Sequence, residues 1–234
     1  MTEKQFMTDA YLQEAEATVV AHTLEGGIVL DQCVFYPTGG GQMGDTGRLG
    51  DVEITTTVKG ENGAIVLVPA EGQGLPAIGS TLMQKLDWEN RHQMMRLHTA
   101  LHLLSVVIPL PVTGGQIRAE KARLDFAMPD PLEDKQAVED ALNALIAADH
   151  PVTETWISEA ELDAKPELVK TMSVQPPRGA GRIRLVRIGG DEQVDLQPCG
   201  GTHVRSTGEI GPIRLGKMEK KGRVNRRLNL FLDE

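Results

Sequence analysis

Hydrophobic and polar residues alternate with a short period in the first part of this chain of 234 residues. Short apolar stretches such as ATVVAHT, GIVLDQCVFY, VEITTTV and AIVLVPA are separated there by turns rich in glycine and asparagine. Short strands joined by such turns are typical of β-hairpins. We therefore predict a small β-barrel over residues 1–85, with TLMQKLD as its last strand.

After residue 85, the spacing of apolar residues becomes that of an α-helix. The segment WENRHQMMRLHTALHLLSVVI places Leu97, Leu101, Leu104 and Ile108 on one stripe, which predicts a long helix that ends before Pro109.

Two further helix starts are indicated by capping residues. Asp130, followed by Pro131 and Glu133, has the pattern of an N-cap with a capping box. Ser158 and Glu161 have the same capping-box spacing. We predict that a helix begins at each of these two places.

The remaining apolar alternation predicts strands in the second part of the chain. PVTETWI and GRIRLVRI alternate with period two, and the tail is expected to form a hairpin that turns at KKGR. The alternating arginines of GRIRLVRI suggest a strand face that is wet or touches anions. Residues 86–234 are therefore predicted to form an α+β domain with helices packed on an antiparallel sheet, and the chain as a whole is assigned to the α+β class.

Composition narrows the classes of function. Aromatic residues make up only 3% of the chain, which argues against a single-stranded nucleic-acid surface built on aromatic stacking. We find no apolar run of transmembrane length and no signal-peptide pattern, so we expect a cytoplasmic protein without a membrane partner. In a reducing compartment, Cys33 and Cys199 are not expected to form a structural disulfide.

The net charge of −9 is unevenly distributed. Acidic residues dominate residues 1–169, whereas basic residues dominate residues 170–234. The basic residues of the second region form two clusters, one of Arg178, Arg182, Arg184 and Arg187, the other of Lys217, Lys220, Lys221, Arg223, Arg226 and Arg227. A basic region on an acidic protein is typical of a phosphate-binding surface, although a solvated strand face would have the same composition.

Four residues carry the chemistry of a metal site. His98 and His102 are spaced i,i+4 in the predicted helix and so share one face. Cys199 and His203 are spaced Cys-x3-His in the glycine-rich segment PCGGTH. Two short-range pairs separated by a long stretch are typical of zinc sites, which use imidazole nitrogen and thiolate sulfur. Helical histidines alone are equally typical of a core edge, and the second pair is what favours a Zn²⁺ site over that interpretation.

The kind of zinc site stays open at this point. A structural site uses four protein ligands, whereas a catalytic site leaves one position for water or substrate. The metalloprotease motif HExxH is absent, because Leu101 precedes His102.

Several motifs together resemble a known family. RLHTALHLL, CGGTH and the loop FYPTGGGQMGDTG, with VTGGQI and RLDF, are similar to the editing domain of alanyl-tRNA synthetases. No synthetase catalytic domain accompanies them, so the chain resembles the freestanding AlaX editing proteins in the form with an N-terminal β-barrel. The resemblance extends from about Thr18 to the end of the chain.

This resemblance implies a metal-dependent aminoacyl-tRNA deacylase, with Zn²⁺ as cofactor and mischarged tRNA(Ala) as partner. It would remove serine, and also glycine, from tRNA(Ala), and no obligatory protein partner is inferred. By matched position, the implied zinc ligands are His98, His102, Cys199 and His203. Thr99 and Gln116 are implied to line the amino-acid pocket and are predicted to be catalytic, and we expect the Thr99 hydroxyl to hydrogen-bond the serine oxygen. The residues implied to face the substrate from the glycine-rich loop are Gly39, Gly40 and Gln42.

The basic tail is the predicted RNA contact. Its charge suits the phosphates of an acceptor stem. The predicted tRNA-binding residues are Lys217, Lys220, Lys221 and Arg223.

Three other interpretations compete with this one. The same residues would serve a non-catalytic tRNA-binding protein with a structural zinc, or an enzyme that edits a related substrate such as Ser-tRNA(Thr). The sequence Gly40-Gly41-Gln42 also occurs as the GGQ of peptide release factors. Here it lies in a β-rich region away from the zinc motifs, which argues against a release factor.

Overall fold

The structure is a computed structural model that describes residues 2–172 and 181–233, so Arg178 of the first basic cluster lies outside the described residues. The chain divides into two compact units, Met1–His92 and Gln93–Glu234. The assignment of residues 1–85 and 86–234 to two functional domains stays a prediction.

The first unit contains a closed six-stranded barrel, which confirms the predicted β-barrel. The strands and the short helix of this unit are β1 (Glu3–Lys4), α1 (Gln5–Thr8), β2 (Glu14–His22), β3 (Ile28–Leu30), β4 (Gln32–Cys33), β5 (Gly47–Leu49), β6 (Val52–Lys59), β7 (Ile65–Pro69) and β8 (Thr81–Leu86). A 3-10 turn at Glu61–Gly63 connects β6 and β7. The barrel order is β2-β3-β7-β6-β5-β8 with antiparallel neighbours, while β1 pairs with β4 in parallel.

Alternation along these strands fills the barrel with aliphatic side chains. Ile28, Leu30, Leu49 and Leu67 are completely buried in one hydrophobic cluster. Each strand therefore points every second residue into the core and the intervening residues outward.

A long helix, α2, covers Trp88–Val107, as its apolar stripe predicts. Its first turn belongs to the first unit, where the buried guanidinium of Arg91 forms an ion pair with Asp45. The same guanidinium donates to the backbone carbonyls of Ala10 and Val34, both at 2.8 Å. A buried charge is tolerated when it is paired and hydrogen-bonded in this way.

The second unit consists of two antiparallel sheets with helices. The larger sheet contains β9 (Val112–Ile117), β10 (Ala122–Ala127), β14 (Ile213–Leu215), β15 (Glu219–Lys221) and β16 (Asn225–Leu232). The smaller sheet contains β11 (Val152–Ser158), β12 (Arg182–Ile188) and β13 (Asp195–Pro198) in that order. Its further helices are α3 (Lys135–Ala147) and α4 (Glu159–Asp163), with 3-10 turns at Pro166–Leu168 and Thr207–Ile210.

Helix α3 packs beside β14. The Asn143 side chain donates to the carbonyl of Ile213 and accepts from its backbone N–H, each at 2.8 Å. This arrangement of helices on antiparallel sheets confirms the predicted α+β class.

One predicted helix start is wrong and the other is confirmed. Helix α3 begins at Lys135 and not after Asp130, because the side chain of Asp134 is the one that accepts from the backbone N–H of Ala137, at 2.9 Å. An N-cap must reach the second or third N–H of the helix. The capping box of Ser158 and Glu161 opens α4 as expected.

Among the helices that the structure describes, none combines the length and apolar character needed to span a lipid bilayer.

Candidate metal centre

Four side chains converge in the second unit. His98 and His102 come from α2, whereas Cys199 and His203 follow β13, and their potential ligand atoms all lie within 4.8 Å of one another. The Cys199 Sγ atom is 3.4 Å from His98 Nε2 and 3.2 Å from His203 Nε2. The structure thus brings together the four residues selected from the sequence, and their role as ligands stays a prediction.

The local sequence explains the convergence. The i,i+4 spacing puts the rings of His98 and His102 on one helix face, with centroids 5.4 Å apart. After β13, the backbone N–H of Cys199 donates to the backbone carbonyl of Arg184 at 3.2 Å. The chain then turns, and the backbone N–H of Gly201 points to Cys199 Sγ at 3.5 Å.

The donor set fits a zinc ion. Three imidazole nitrogens and one thiolate sulfur are the ligands that zinc prefers, and all three histidines are only 6% exposed. In a tetrahedron with zinc–ligand bonds of about 2.0–2.3 Å, neighbouring ligand atoms are roughly 3.5 Å apart. The two sulfur–nitrogen distances of 3.4 and 3.2 Å are close to that value.

The electrostatics at Cys199 and His203 favour the protonation states that bind a metal. Burial opposes ionisation of the Cys199 thiol, but the charges of His98 and His203 and hydrogen bonds from the imidazoles hold its pKa well below the usual value. Burial, together with the charge of His98, lowers the pKa of His203 well below the usual value. Zinc binds thiolate and neutral imidazole, which are the forms favoured at these two residues.

His102 has an acidic partner that sequence reasoning missed. Its Nδ1 lies 3.0 Å from the Oδ2 atom of Asp195, whose side chain is completely buried. Burial alone would lower the pKa of His102, but hydrogen bonds to Asp195 and Cys199 outweigh it and raise the pKa to about 9. Burial likewise opposes ionisation of Asp195, but His102 and Lys170 lower its pKa to about 2. The only sequence signal for Asp195 is its place four residues before Cys199.

Thr99 is buried beside His203 and not open to solvent. Its hydroxyl donates to the carbonyl of Met95 at 2.9 Å, accepts from the backbone N–H of Val204 at 3.3 Å and lies 3.1 Å from His203 Nδ1. Because Nε2 of His203 faces Cys199, Nδ1 is the atom that would carry the proton and donate to Thr99. The one donor and two acceptor positions of the hydroxyl are then all used. This geometry favours a role for Thr99 in orienting His203.

Arg184 supports the turn that carries Cys199. It is only 5% exposed, and its Nη1 donates to the carbonyls of Cys199 and Gly201 at 2.9 and 2.8 Å. Its Nη2 forms an ion pair with Glu154. The face of GRIRLVRI is predicted to be wet or to touch anions. At Arg184 it is not wet, because the turn folds back over that side of the strand, but the guanidinium does contact the carboxylate of Glu154.

Gln116 lies on β9 in a polar network. Its Oε1 accepts from Arg123 Nε at 3.4 Å, and Arg123 also donates to Asp125 at 2.8 Å. The side chain of Gln116 is half-buried. Its predicted place in the substrate pocket stays a prediction.

The glycine-rich loop belongs to the first unit. Gly39 and Gln42 exchange two backbone hydrogen bonds of 3.0 Å, which close a tight turn. Gly40 has a φ of 59°, a conformation that glycine adopts readily. Tyr36 donates its hydroxyl to the carbonyl of Gly39 at 2.9 Å, and Gln42 is buried. The expected contact of Gly39, Gly40 and Gln42 with substrate stays a prediction.

The predicted RNA-binding residues are exposed on and beside the C-terminal hairpin. Lys220 and Lys221 lie in β15, Arg223 lies in the turn and Lys217 precedes the strand. Strands β15 and β16 pair in antiparallel fashion, with Lys221 opposite Asn225. The hairpin expected at KKGR is therefore confirmed.

Two other basic residues of that cluster are engaged within the protein. Arg227 makes two hydrogen bonds to Asp125, of 2.7 and 2.9 Å. Arg226 is buried and donates to the carbonyl of Pro129 at 2.5 Å. The selected residues Lys217, Lys220, Lys221 and Arg223 are all exposed, although Lys221 forms an ion pair of 2.9 Å with Glu219.

Known protein families match both parts of the chain. The family described as Threonyl and Alanyl tRNA synthetase second additional domain matches residues 183–229. The family described as tRNA synthetases class II (A) matches residues 2–90.

Individual relatives match nearly the whole chain. A protein of Methanosarcina acetivorans named Alanyl-tRNA editing protein AlaX-M is 36% identical over 99% of this chain and 99% of its own length. A protein of the same name from Pyrococcus horikoshii is 32% identical over 100% of this chain and 99% of its own length. A protein of Pyrobaculum neutrophilum named Alanine--tRNA ligase is 35% identical over 94% of this chain, which corresponds to 25% of that relative.

Proposed function

Since the chain belongs to the family of alanyl-tRNA editing proteins, we propose that it is a trans-acting deacylase for tRNA(Ala) that wrongly carries serine or glycine. The observation that carries the proposal is the cluster of three buried histidines and the partly buried Cys199 in the second unit. Deacylation here means hydrolysis of the ester between the amino acid and the terminal ribose.

Such an enzyme is needed because a binding pocket for alanine discriminates poorly against serine and glycine. A pocket that accepts alanine rejects an analogue with an added hydroxyl by only about 10²-fold. Glycine lacks one methyl group, which is worth roughly 1–3 kcal/mol of discrimination. A second site that destroys the wrong products solves both problems.

In this proposal the metal ligands are His98, His102, Cys199 and His203. A zinc ion held there would supply positive charge that either activates a water or holds the free α-amino group of the substrate. The chain itself contributes a low-pKa thiol at Cys199 and a hydroxyl at Thr99 that orients His203. The three histidines are buried, and their low-dielectric surroundings strengthen each of these electrostatic interactions.

The hairpin that contains Lys220, Lys221 and Arg223 supports a tRNA partner. Exposed cations attract the phosphates of an acceptor stem without reading base sequence. Because this substrate is used in translation, the proposed location is the cytoplasm.

The count of four protein donors favours a second candidate function. A structural zinc site closes all four positions with protein ligands, whereas a catalytic site leaves one for water or substrate. A non-catalytic tRNA-binding protein with a structural zinc would use the same four residues.

Deacylation assays distinguish these functions. We expect the purified protein to hydrolyse Ser-tRNA(Ala) and Gly-tRNA(Ala) but to leave Ala-tRNA(Ala) intact. Chelation should abolish the activity and added Zn²⁺ should restore it. The variant His102→Gln should be inactive, whereas the matched control His150→Gln should retain activity.

Each contrary result has a defined meaning. Binding of tRNA(Ala) without hydrolysis would establish the structural-zinc alternative. Hydrolysis of Ser-tRNA(Thr) in preference to Ser-tRNA(Ala) would assign the protein to a related editing reaction. Normal cleavage of N-acetyl-Ser-tRNA(Ala) would exclude a zinc that holds the α-amino group.

A further inference from the structure

A buried carboxylate lies behind the metal cluster. Asp195 Oδ2 accepts from His102 Nδ1 at 3.0 Å and from Gln197 Nε2 at 2.8 Å, while Oδ1 accepts from Lys170 Nζ at 2.5 Å. The Asp195 side chain is completely buried, so these protein donors take the place of water. The carboxylate is thus held from both of its oxygens.

This contact determines how His102 can face the cluster. An ionised carboxylate only accepts hydrogen bonds, so the proton of a neutral His102 must lie on Nδ1. The other ring nitrogen, Nε2, then carries the lone pair that a metal requires. Asp195 therefore selects both the tautomer and the direction of the ring.

Lys170 completes the arrangement from a distant part of the chain. Its backbone is fixed by a hydrogen bond of 3.1 Å from the N–H of Val112, and its ammonium also approaches Ser105 Oγ at 3.4 Å. Ser105 donates in turn to the carbonyl of His102 at 2.7 Å. Lys170 therefore neutralises Asp195 and links it a second time to the helix turn that carries His102.

If Asp195 served only to balance the charge of Lys170, its carboxylate would not need to face His102 as well. Lys170 satisfies one oxygen of Asp195, yet the other oxygen is directed at an imidazole nitrogen of the cluster. Carboxylate partners of this kind orient metal-bound histidines and raise their basicity.

We propose that Asp195, held in place by Lys170, is a positioning residue that fixes His102 for metal binding. The inference rests on the proposed function in one respect, namely that the four-residue cluster binds zinc. It adds two residues that neither the motif pattern nor the family resemblance selects.

Zinc affinity tests the proposal without any assay of catalysis. We would measure the zinc dissociation constant by competition with a chromophoric chelator for the wild type, Asp195→Asn, Lys170→Met and the exposed control Asp191→Asn. Asp195→Asn should weaken zinc binding by about 10–100-fold. Lys170→Met should weaken it in the same direction but less, and the control should match the wild type. A folded Asp195→Asn protein that binds zinc within about twofold of the wild type would overturn the proposal.

A second readout separates positioning from general support of the fold. Long-range ¹H–¹⁵N spectra of the zinc-loaded wild type should show the His102 proton on Nδ1 and protected from exchange with water. In Lys170→Met, which retains the carboxylate, exchange of that proton should be faster while the protein stays folded by circular dichroism. An unchanged proton and unchanged zinc affinity in Lys170→Met would remove Lys170 from the proposal, even if Asp195→Asn does not fold.

Zinc binding by the wild type tests the metal centre separately from the positioning role of Asp195. A wild-type protein that binds no zinc would contradict the proposed metal centre itself. A wild type that binds zinc, together with variants that bind it equally well, would contradict only the positioning role.

Discussion

At the scale of single residues, metal binding at the proposed centre depends on which ring atoms carry protons. His102 must lose a proton before it can bind zinc. Its pKa in the folded protein is raised from 6.5 to about 9, so the ring loses its proton only as the pH rises toward and through about 9. Thiolate formation at Cys199 makes no comparable demand, because its pKa is already well below the usual value.

Zinc affinity should therefore rise with pH between 6.5 and about 9 and level off above this value. A single competing proton changes the apparent affinity by about tenfold per pH unit. Chelator competition over this pH range measures the slope, and His102→Gln, which lacks the titrating ring, should flatten it. A wild-type affinity that is constant over the same interval would contradict the assignment of the proton to His102.

Thr99→Val tests the second orienting contact. The change is close to isosteric, but it removes the hydroxyl that lies 3.1 Å from His203 Nδ1. We expect zinc affinity to fall by about 10-fold or more, with a parallel loss of Ser-tRNA(Ala) hydrolysis. If zinc affinity stays at the wild-type value and only hydrolysis of Ser-tRNA(Ala) falls, Thr99 reads the substrate hydroxyl instead.

Sequence reasoning selected residues whose chemistry is visible in local spacing. His98 and His102 share a helix face by periodicity, and Cys199 and His203 share one short turn. Asp195 and Lys170 have no such signature, because their function arises only where separate strands and loops meet. Thr99 was selected through the family resemblance, but its contact with His203 was not foreseen because His203 is remote in sequence.

At the scale of secondary structure elements, the turn after β13 depends on the strand beside it. Arg184 projects from β12 and donates to two carbonyls of the PCGGTH segment. The Arg–apolar alternation of β12 identified a strand correctly. It left open whether Arg184 is solvated or contacts an anion, because the alternation does not show whether a later segment will cover a given face.

Arg184→Met should loosen this turn. Hydrogen bonds to charged groups contribute about 1.5–3 kcal/mol, so the free energy of unfolding should fall by about that amount. Zinc affinity should fall as well, because Cys199 and His203 lose their fixed positions. Chemical denaturation and chelator competition measure the two effects.

The exposed Arg182 on the same strand provides a matched control, and Arg182→Met should leave both quantities near the wild-type values. If Arg184→Met and Arg182→Met had equal effects, stability and zinc affinity would depend on the positive charge of the strand and not on support of the turn by Arg184.

Of the two predicted helix starts, one is confirmed and the other is wrong. The capping box of Ser158 and Glu161 predicted α4, since both partners are close in sequence. The start of α3 was misplaced because Asp130 and Asp134 are both competent caps. The choice of Asp134 follows from the hydrogen bond that its side chain makes to Ala137, which the sequence pattern does not reveal.

At the scale of the whole molecule, the chain is acidic and yet its C-terminal hairpin is basic. The composition located this asymmetry, whereas the structure showed which cations are exposed. Arg226 and Arg227 are engaged within the protein, so Lys220, Lys221 and Arg223 carry the proposed RNA contact.

Reversal of Lys220, Lys221 and Arg223 to Glu should raise the KM for Ser-tRNA(Ala) with little change in kcat. It should also reduce the steepness with which binding falls as salt increases, by about 0.7–0.9 in logarithmic slope for each lost phosphate contact. Reversal of the exposed residues Lys4, Arg48 and Lys85 changes the net charge equally and serves as the control. A salt slope that matches the wild type would exclude the hairpin from the RNA surface.

The account as a whole depends on one physical claim, that His98, His102, Cys199 and His203 surround a zinc ion. X-ray absorption at the zinc edge of the loaded protein tests it most directly. We predict three nitrogen neighbours at about 2.0–2.1 Å and one sulfur at about 2.3 Å, with the sulfur lost in Cys199→Ser. A spectrum of the wild type without sulfur, or with fewer than two imidazole nitrogens, would contradict the claim.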